Sequence, residues 1–338
     1  MRRAVLGSNL RPFLILCIII IVLAIIDIGR GDFLSSATAY SAFQSFSTFG
    51  LVALGLGLTM LIGEFDLSVA GVFGLAGCIA VLTGETHPWL GLLLALIVGC
   101  GFGAAQGLLM TMLGLGSVAV TLGGLLTATG LAYVITHNRT ISYENLALAM
   151  KLNDRVAWLF SIRSIVVLAV FALSALVFSW TRLGRDLIAI GSDRRAAVIA
   201  GVSVKALVVG AFSFSGFMAA LAGALLSFGL ASASPSGLSD VLVPAAAAAI
   251  LGGVSLSGGT GTPLGIVAGV LTLTVLRAGL NAMAAPPFLH DMATGFILLL
   301  VAISDAPYLT RRLATLPTQL RCGLSLLTHW SVSSAKSP

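Results

Sequence analysis

Residues 181–205, TRLGRDLIAIGSDRRAAVIAGVSVK, decide how the chain is organised. They carry Arg182, Arg185, Arg194, Arg195 and Lys205 together with Asp186 and Asp193, in a protein where 9% of residues are charged. Long apolar runs flank the stretch on both sides. Charged side chains are costly in a hydrocarbon layer, so the stretch reads as a water-exposed insertion between two membrane halves. A short-helix-forming insertion of this kind has the character of a docking surface for a soluble partner.

The flanks explain the rest of the composition. The chain is 58% hydrophobic over 338 residues, with a mean hydropathy of +1.08. Soluble domains are about a quarter charged. Apolar runs of roughly 18 residues or more recur along the chain, each long enough to cross a layer ~30 Å thick. The sequence predicts an all-α, polytopic transmembrane bundle of about ten spans with broken or re-entrant helices. A leader covers residues 1–11, the membrane region 12–304, with its polar insertion at 181–206, and a basic tail 305–338. Residues 136–160 read as a polar loop, and the run at 242–251 is too short to cross alone.

The net charge of +6 raises the possibility of nucleic acid. Loop charges account for it better. The side holding the leader, the 181–205 stretch and the tail carries twelve Lys and Arg, and the other side four (Arg30, Arg139, Lys151 and Arg155). Basic residues stay in cytoplasmic loops, so both termini and the insertion are expected in the cytoplasm. The first apolar run has no A-x-A-like site after it and is expected to remain as an anchor. Cys17, Cys78, Cys100 and Cys322 show no metal-ligand spacing, and neither they nor the scattered histidines indicate a metal site. Gly99, Gly103 and Gly107 form overlapping GxxxG spacings, read first as close helix packing within one chain.

Two glycine-rich breaks interrupt the apolar pattern. GEFDLSVAG (63–71) places Glu64 and Asp66 between two spans. They either sit in a solvated hairpin, with Asp66 or Ser68 capping the next helix, or form part of a pathway or gate. GGVSLSGGTGTPLG (252–265), with Gly258 and Gly259, cannot hold a straight helix, because each glycine costs roughly 1 kcal/mol relative to Ala. Irregular backbone at membrane depth must be buried in protein or line a cavity. Arg277 either pairs with Asp291 across a hairpin or snorkels to the headgroups, and Asn281 offers either an amide to a polar solute or a helix end cap. The sequence contains no catalytic triad, no HExxH and no Walker sequence, so no route to ATP hydrolysis is visible in it.

Five blocks in order give the chain a likeness: GEFDLSVAG (63–71), VTLGGLLTATGLAYVIT (120–136), LGRDLIAIGSDRRAAVIAGV (183–202), AAAAAILGGVSLSGGTGTPLG (245–265) and LRAGLNAM (276–283). Over residues 45–305 the chain resembles the permease subunits of bacterial ABC sugar importers, the ribose/xylose/galactose branch. The resemblance implies a non-enzymatic, multi-pass inner-membrane permease that moves a monosaccharide and binds no cofactor. Its implied partners are a second permease copy, a cytoplasmic ATPase that uses ATP and Mg²⁺, and a periplasmic sugar-binding protein. It also implies a coupling helix over residues 191–201, contacting the ATPase through Gly191, Ser192, Asp193, Arg194, Arg195, Ala196, Ala197 and Gly201. Glu64, Asp66, Ser68, Gly258, Gly259 and Asn281 are the pathway or gating candidates.

The chain also departs from the family. Glu64 stands where relatives usually have Gly, Ala128 and Thr129 where Phe-Arg is frequent, and Thr260 where a charged residue is common. Sugar identity is therefore open. A permease for branched-chain amino acids, nucleosides or autoinducer-type furanoses is one rival, and an ion-coupled secondary transporter another. The second would need buried acids to bind its ion, and such acids are scarce.

Overall fold

A computed structural model describes residues 2–28, 31–237 and 241–304 of the chain. Arg30, residues 238–240 and the expected basic tail at 305–338, with Asp305, Arg311, Arg312, Arg321, Cys322, His329 and Lys336, lie outside the described residues. The chain divides into two units, Met1–Asp291 and Met292–Pro338.

Thirteen helices are described: α1 Arg2–Ile26, α2 Ser36–Leu61, α3 Val69–Thr83, α4 Pro88–Leu113, α5 Ser117–Ile135, α6 Leu146–Asn153, α7 Ile162–Trp180, α8 Arg182–Ser192, α9 Arg194–Ile199, α10 Val204–Gly229, α11 Leu242–Leu251, α12 Pro263–Ala282 and α13 Pro287–Ser304. Their ends follow local chemistry. Ser35 accepts from the Thr38 amide to start α2, and α4 begins on Pro88, whose missing N–H is no loss there. Gly114 ends α4 in the left-handed region. A reciprocal Ser161–Ser164 capping box starts α7.

Six helices (α2, α4, α5, α7, α10 and α12) are long and apolar enough to cross a membrane. Shorter apolar segments occur at Leu10–Ile26, Val69–Thr83, Leu242–Leu251 and Pro287–Val301. The chain is thus a mostly helical, polytopic membrane protein, although strictly all-α is a simplification. Residues 136–160 are structured: β1 (Ile141–Ser142) pairs antiparallel with β4 (Ser232–Ala233), and β2 (Arg155–Val156) with β3 (Phe160–Ser161). Two-residue ladders lie below what hydropathy reading resolves.

Within Met1–Asp291, α10 packs against α4, α3 and α2, while α2 also meets α12 and α11. Phe46, Leu54, Met60, Phe73, Met218 and Leu273 are buried in this core. Lipid tails are as apolar as leucine, so helices associate through close backbone approach and polar contacts. The α4 glycine spacing serves this purpose inside the chain. A methyl group on Gly103 would strike the Phe212 carbonyl of α10, and one on Gly216 the Gly99 carbonyl.

Arg163 anchors the end of the bundle opposite α8–α9. It is 5% exposed in α7, and its Nη2 donates to Ser47 Oγ and Thr48 Oγ1 of α2 (both 3.2 Å) while Nη1 reaches Asn153 Oδ1 (3.3 Å). Gly229 makes room for the guanidinium.

Candidate functional site

The polar insertion folds as a short helical hairpin. Thr181 caps α8, and Gly184, Leu187 and Ile190, spaced three apart, form its buried face. Asp193 is in extended backbone and breaks the helix. Its Oδ1 accepts from the Arg195 and Ala196 amides (2.9 and 3.0 Å), starting α9. The single helix expected over 191–201 is therefore two helices. Gly191 and Ser192 belong to the last turn of α8, and Gly201, at φ +83°, follows α9. Ala197 is buried at 3% exposure beside Leu61, Leu187, Ile190 and Val208. Its neighbours Val198 and Ile199 are 58% and 88% exposed.

The hairpin meets both glycine-rich breaks. The Gly259 amide donates to the Leu61 carbonyl at the end of α2 (2.9 Å). Gly191 fills the angle between them, where a methyl group would strike both atoms. Gly258 and Gly259, at φ +85° and +78°, adopt a backbone that favours glycine. A Cβ on Gly258 would lie 2.8 Å from the Gly63 amide. Three stretches distant in sequence thus share one contact.

Residues 64–68 run from this contact into the bundle. Glu64 Oε1 accepts from Arg194 Nη1 at 2.8 Å. The Phe65 carbonyl accepts from Thr121 Oγ1 (3.2 Å) and its amide reaches Ser117 Oγ (3.4 Å), both on α5. Asp66 is 1% exposed. Its Oδ1 accepts from Ser68 N and Oγ (2.9 and 2.6 Å), and its Oδ2 from Ser215 Oγ of α10 (2.7 Å). A carboxylate can be kept from water when charge-assisted hydrogen bonds replace its hydration. Ser68 Oγ in turn accepts from Gln106 Nε2 of α4 (2.9 Å). The Ser68 proton is used on Asp66, so its oxygen can only accept, which fixes the Gln106 amide orientation. Gln106 Oε1 is buried without a partner, and the residue lines a groove of about 490 Å³ along α4 and α5.

Asp66 is buried, whereas Glu64 is partly exposed. Ser68 sits at the N-cap of α3 without a capping bond from its side chain, and Asp66 binds inward instead. The site unites Glu64, Asp66, Ser68, Gly191 to Ala197, Gly258 and Gly259. It leaves out Asn281 and the Arg277–Asp291 pair, which is 3.4 Å apart with Arg277 over the Phe49 ring at 5.3 Å. At 1.5 Å per residue, Arg277 and Asn281 lie about 21 and 27 Å along α12 from Pro263, the end next to the glycine contact. Among the described residues no group of three or more His, Cys, Asp or Glu is arranged to hold a metal.

Ser117, Thr121, Gln106 and Ser215 were not singled out by the sequence. Gln106 had a usable signal, since it is the one amide in the 26 residues of α4, which carry no charge. The serines and threonines had none, because such residues are common in membrane helices and bond to their own backbone.

Comparison with known proteins agrees with the resemblance. The family model described as branched-chain amino acid transport system / permease component matches residues 40–302. The chain is 30% identical over 301 residues to the ribose import permease protein RbsC of Bacillus subtilis, covering 88% of this chain and 92% of the relative. It is 31% identical over 307 residues to the autoinducer 2 import system permease protein LsrC of Photorhabdus luminescens, covering 88% and 90%. The ribose import permease protein RbsC of Haemophilus influenzae is 28% identical over 303 residues, with 87% and 93% covered. No solved structure matches.

Proposed function

Because this chain belongs to the branched-chain amino acid transport system / permease component family, we propose that it is the pathway subunit of an ATP-driven importer for a monosaccharide. It catalyses no covalent step. A separate cytoplasmic ATPase binds and hydrolyses ATP with Mg²⁺, a periplasmic binding protein delivers the sugar, and a second permease copy completes the pathway. The four shorter apolar segments, with 242–251 counted as a broken span interrupted by 252–265, bring the crossings to about ten, with both termini and α8–α9 in the cytoplasm.

The observation that carries this reading is the hairpin itself. A two-helix unit is wedged against both glycine breaks by Gly191, and it turns Val198 and Ile199 outward. Single exposed apolar residues are ordinary. An adjacent pair at the tip of a charged insertion is suited to a groove on a partner. Nucleotide-driven closure of that partner would push the hairpin, and packed contacts convert such pushes into discrete rearrangements of the spans.

Substrate class rests on the relatives, whose names give ribose and autoinducer 2. Both are small, hydroxyl-rich molecules. The test is ATP-dependent uptake of labelled D-ribose and of autoinducer 2 into proteoliposomes holding this chain, its co-encoded ATPase and binding protein. Uptake that needs all three supports the reading. Accumulation by this chain alone, driven by an ion gradient, overturns it.

A further inference from the structure

Residues 64–68 touch four separate elements in five positions. Glu64 holds α9 through Arg194, Phe65 holds α5 through Ser117 and Thr121, Asp66 holds α10 through Ser215, and Ser68 holds α4 through Gln106. These links differ in kind. Those of Asp66 and Ser68 are buried, short and made to rigid helices, whereas Glu64–Arg194 bridges to a partly exposed side chain, with exposures of 15% and 49%. The neighbouring glycine contact seats the hairpin by shape. Glu64–Arg194 ties it by charge to the segment that carries Asp66.

We infer that residues 64–68 form a strut that carries motion of the α8–α9 hairpin to α4, α5 and α10, with the Glu64–Arg194 ion pair as its positioning contact. This rests on the ATP-driven reading above. The geometry favours transmission over a purely structural tie. Glu64 adjoins Phe65 and is two residues from Asp66, so displacing Arg194 pulls on a segment with little slack. The helices at its other end include α4 and α5, which border the 490 Å³ groove.

The experiment uses the complex of this chain with its co-encoded ATPase in nanodiscs. A nitroxide is attached to a cysteine at Val118, exposed near the start of α5, with the native cysteines replaced. Its spectrum is compared before and after trapping with ATP and vanadate. Trapping should alter the spectrum of the otherwise unmodified complex. E64Q and R194Q should each reduce that change at least twofold in the complexes that retain the ATPase, while the melting temperature stays within error. The charge-reversed pair E64R/R194E should recover at least half of the change. Single variants that respond fully, or a reversed pair no better than the singles, would overturn the strut and leave the transport reading intact. A spectrum that ignores nucleotide although the complex hydrolyses ATP would do the same. Failure of the chain to retain any ATPase would overturn both.

Discussion

Gly191 of α8 lies against the Leu61 carbonyl at the end of α2, at the point where the Gly259 amide donates to that same oxygen over 2.9 Å. The first prediction follows from the absence of a Cβ. Gly191→Ala places a methyl group on both bonded atoms and should cost about 1–3 kcal/mol, the usual range for overpacking. Gly210→Ala in α10, where nothing lies within 4 Å of the added carbon, should be neutral or stabilising by up to about 1 kcal/mol. Thermal unfolding of the two detergent-solubilised variants measures the contrast, and equal melting temperatures would contradict it.

A second prediction concerns the buried carboxylate. Ser215→Ala removes one of the donors to Asp66 and should cost about 1 kcal/mol. Asp66→Ala leaves the Ser68 amide and two hydroxyls seeking other acceptors and should cost more, about 1–3 kcal/mol. The double variant should fall short of the sum, because the Ser215 bond is lost once in either background. Additive losses in denaturant unfolding would mean that the pair does not interact.

The fold was legible where chemistry is expressed along the chain. Apolar runs announced the long helices, the charges at 181–205 announced a polar insertion but not its two-helix form, and the glycines at 63 and at 252–261 announced the breaks. Contacts between distant segments were not legible. Asp66 beside Ser68 looked like a local cap, and only folding brings Ser215 and Gln106 to it. Arg163 is the second residue of α7, and Ser47, Thr48 and Asn153 bond to it from other segments. A lone arginine in an otherwise uncharged α7 was a fair signal of a buried partner set, but nothing in the sequence says which helix supplies it.

The far end of the bundle supplies a pH-dependent prediction. Tyr143 Oη donates to the Gly84 carbonyl at 3.0 Å. Burial, with a smaller contribution from the charge of Glu85, pushes its hydroxyl above the ordinary value of 10.0. The protonated, donating form is therefore the one favoured by folding. Its stabilisation is complete below about pH 10 and is lost as pH rises through the higher folded value. Tyr143→Phe should cost about 1 kcal/mol at neutral pH. It should also flatten the alkaline fall in melting temperature relative to the unmodified protein.

The last prediction separates docking from folding within one turn of α9. Ala197 is 3% exposed and packs with Leu61, Leu187, Ile190 and Val208, so Ala197→Glu buries an unpaired carboxylate and should unseat the hairpin. Its melting temperature should drop, and any loss of the ATPase would then reflect a damaged fold. Ile199 is 88% exposed and has little packing to lose within the chain. Ile199→Glu should leave the melting temperature within error and still reduce co-purification of the ATPase at least tenfold, as expected when a charge enters an apolar groove. If Ile199→Glu retains the ATPase fully while Val198→Glu does as well, α9 does not present the docking face, and the charged side chains of the hairpin become the contact to map.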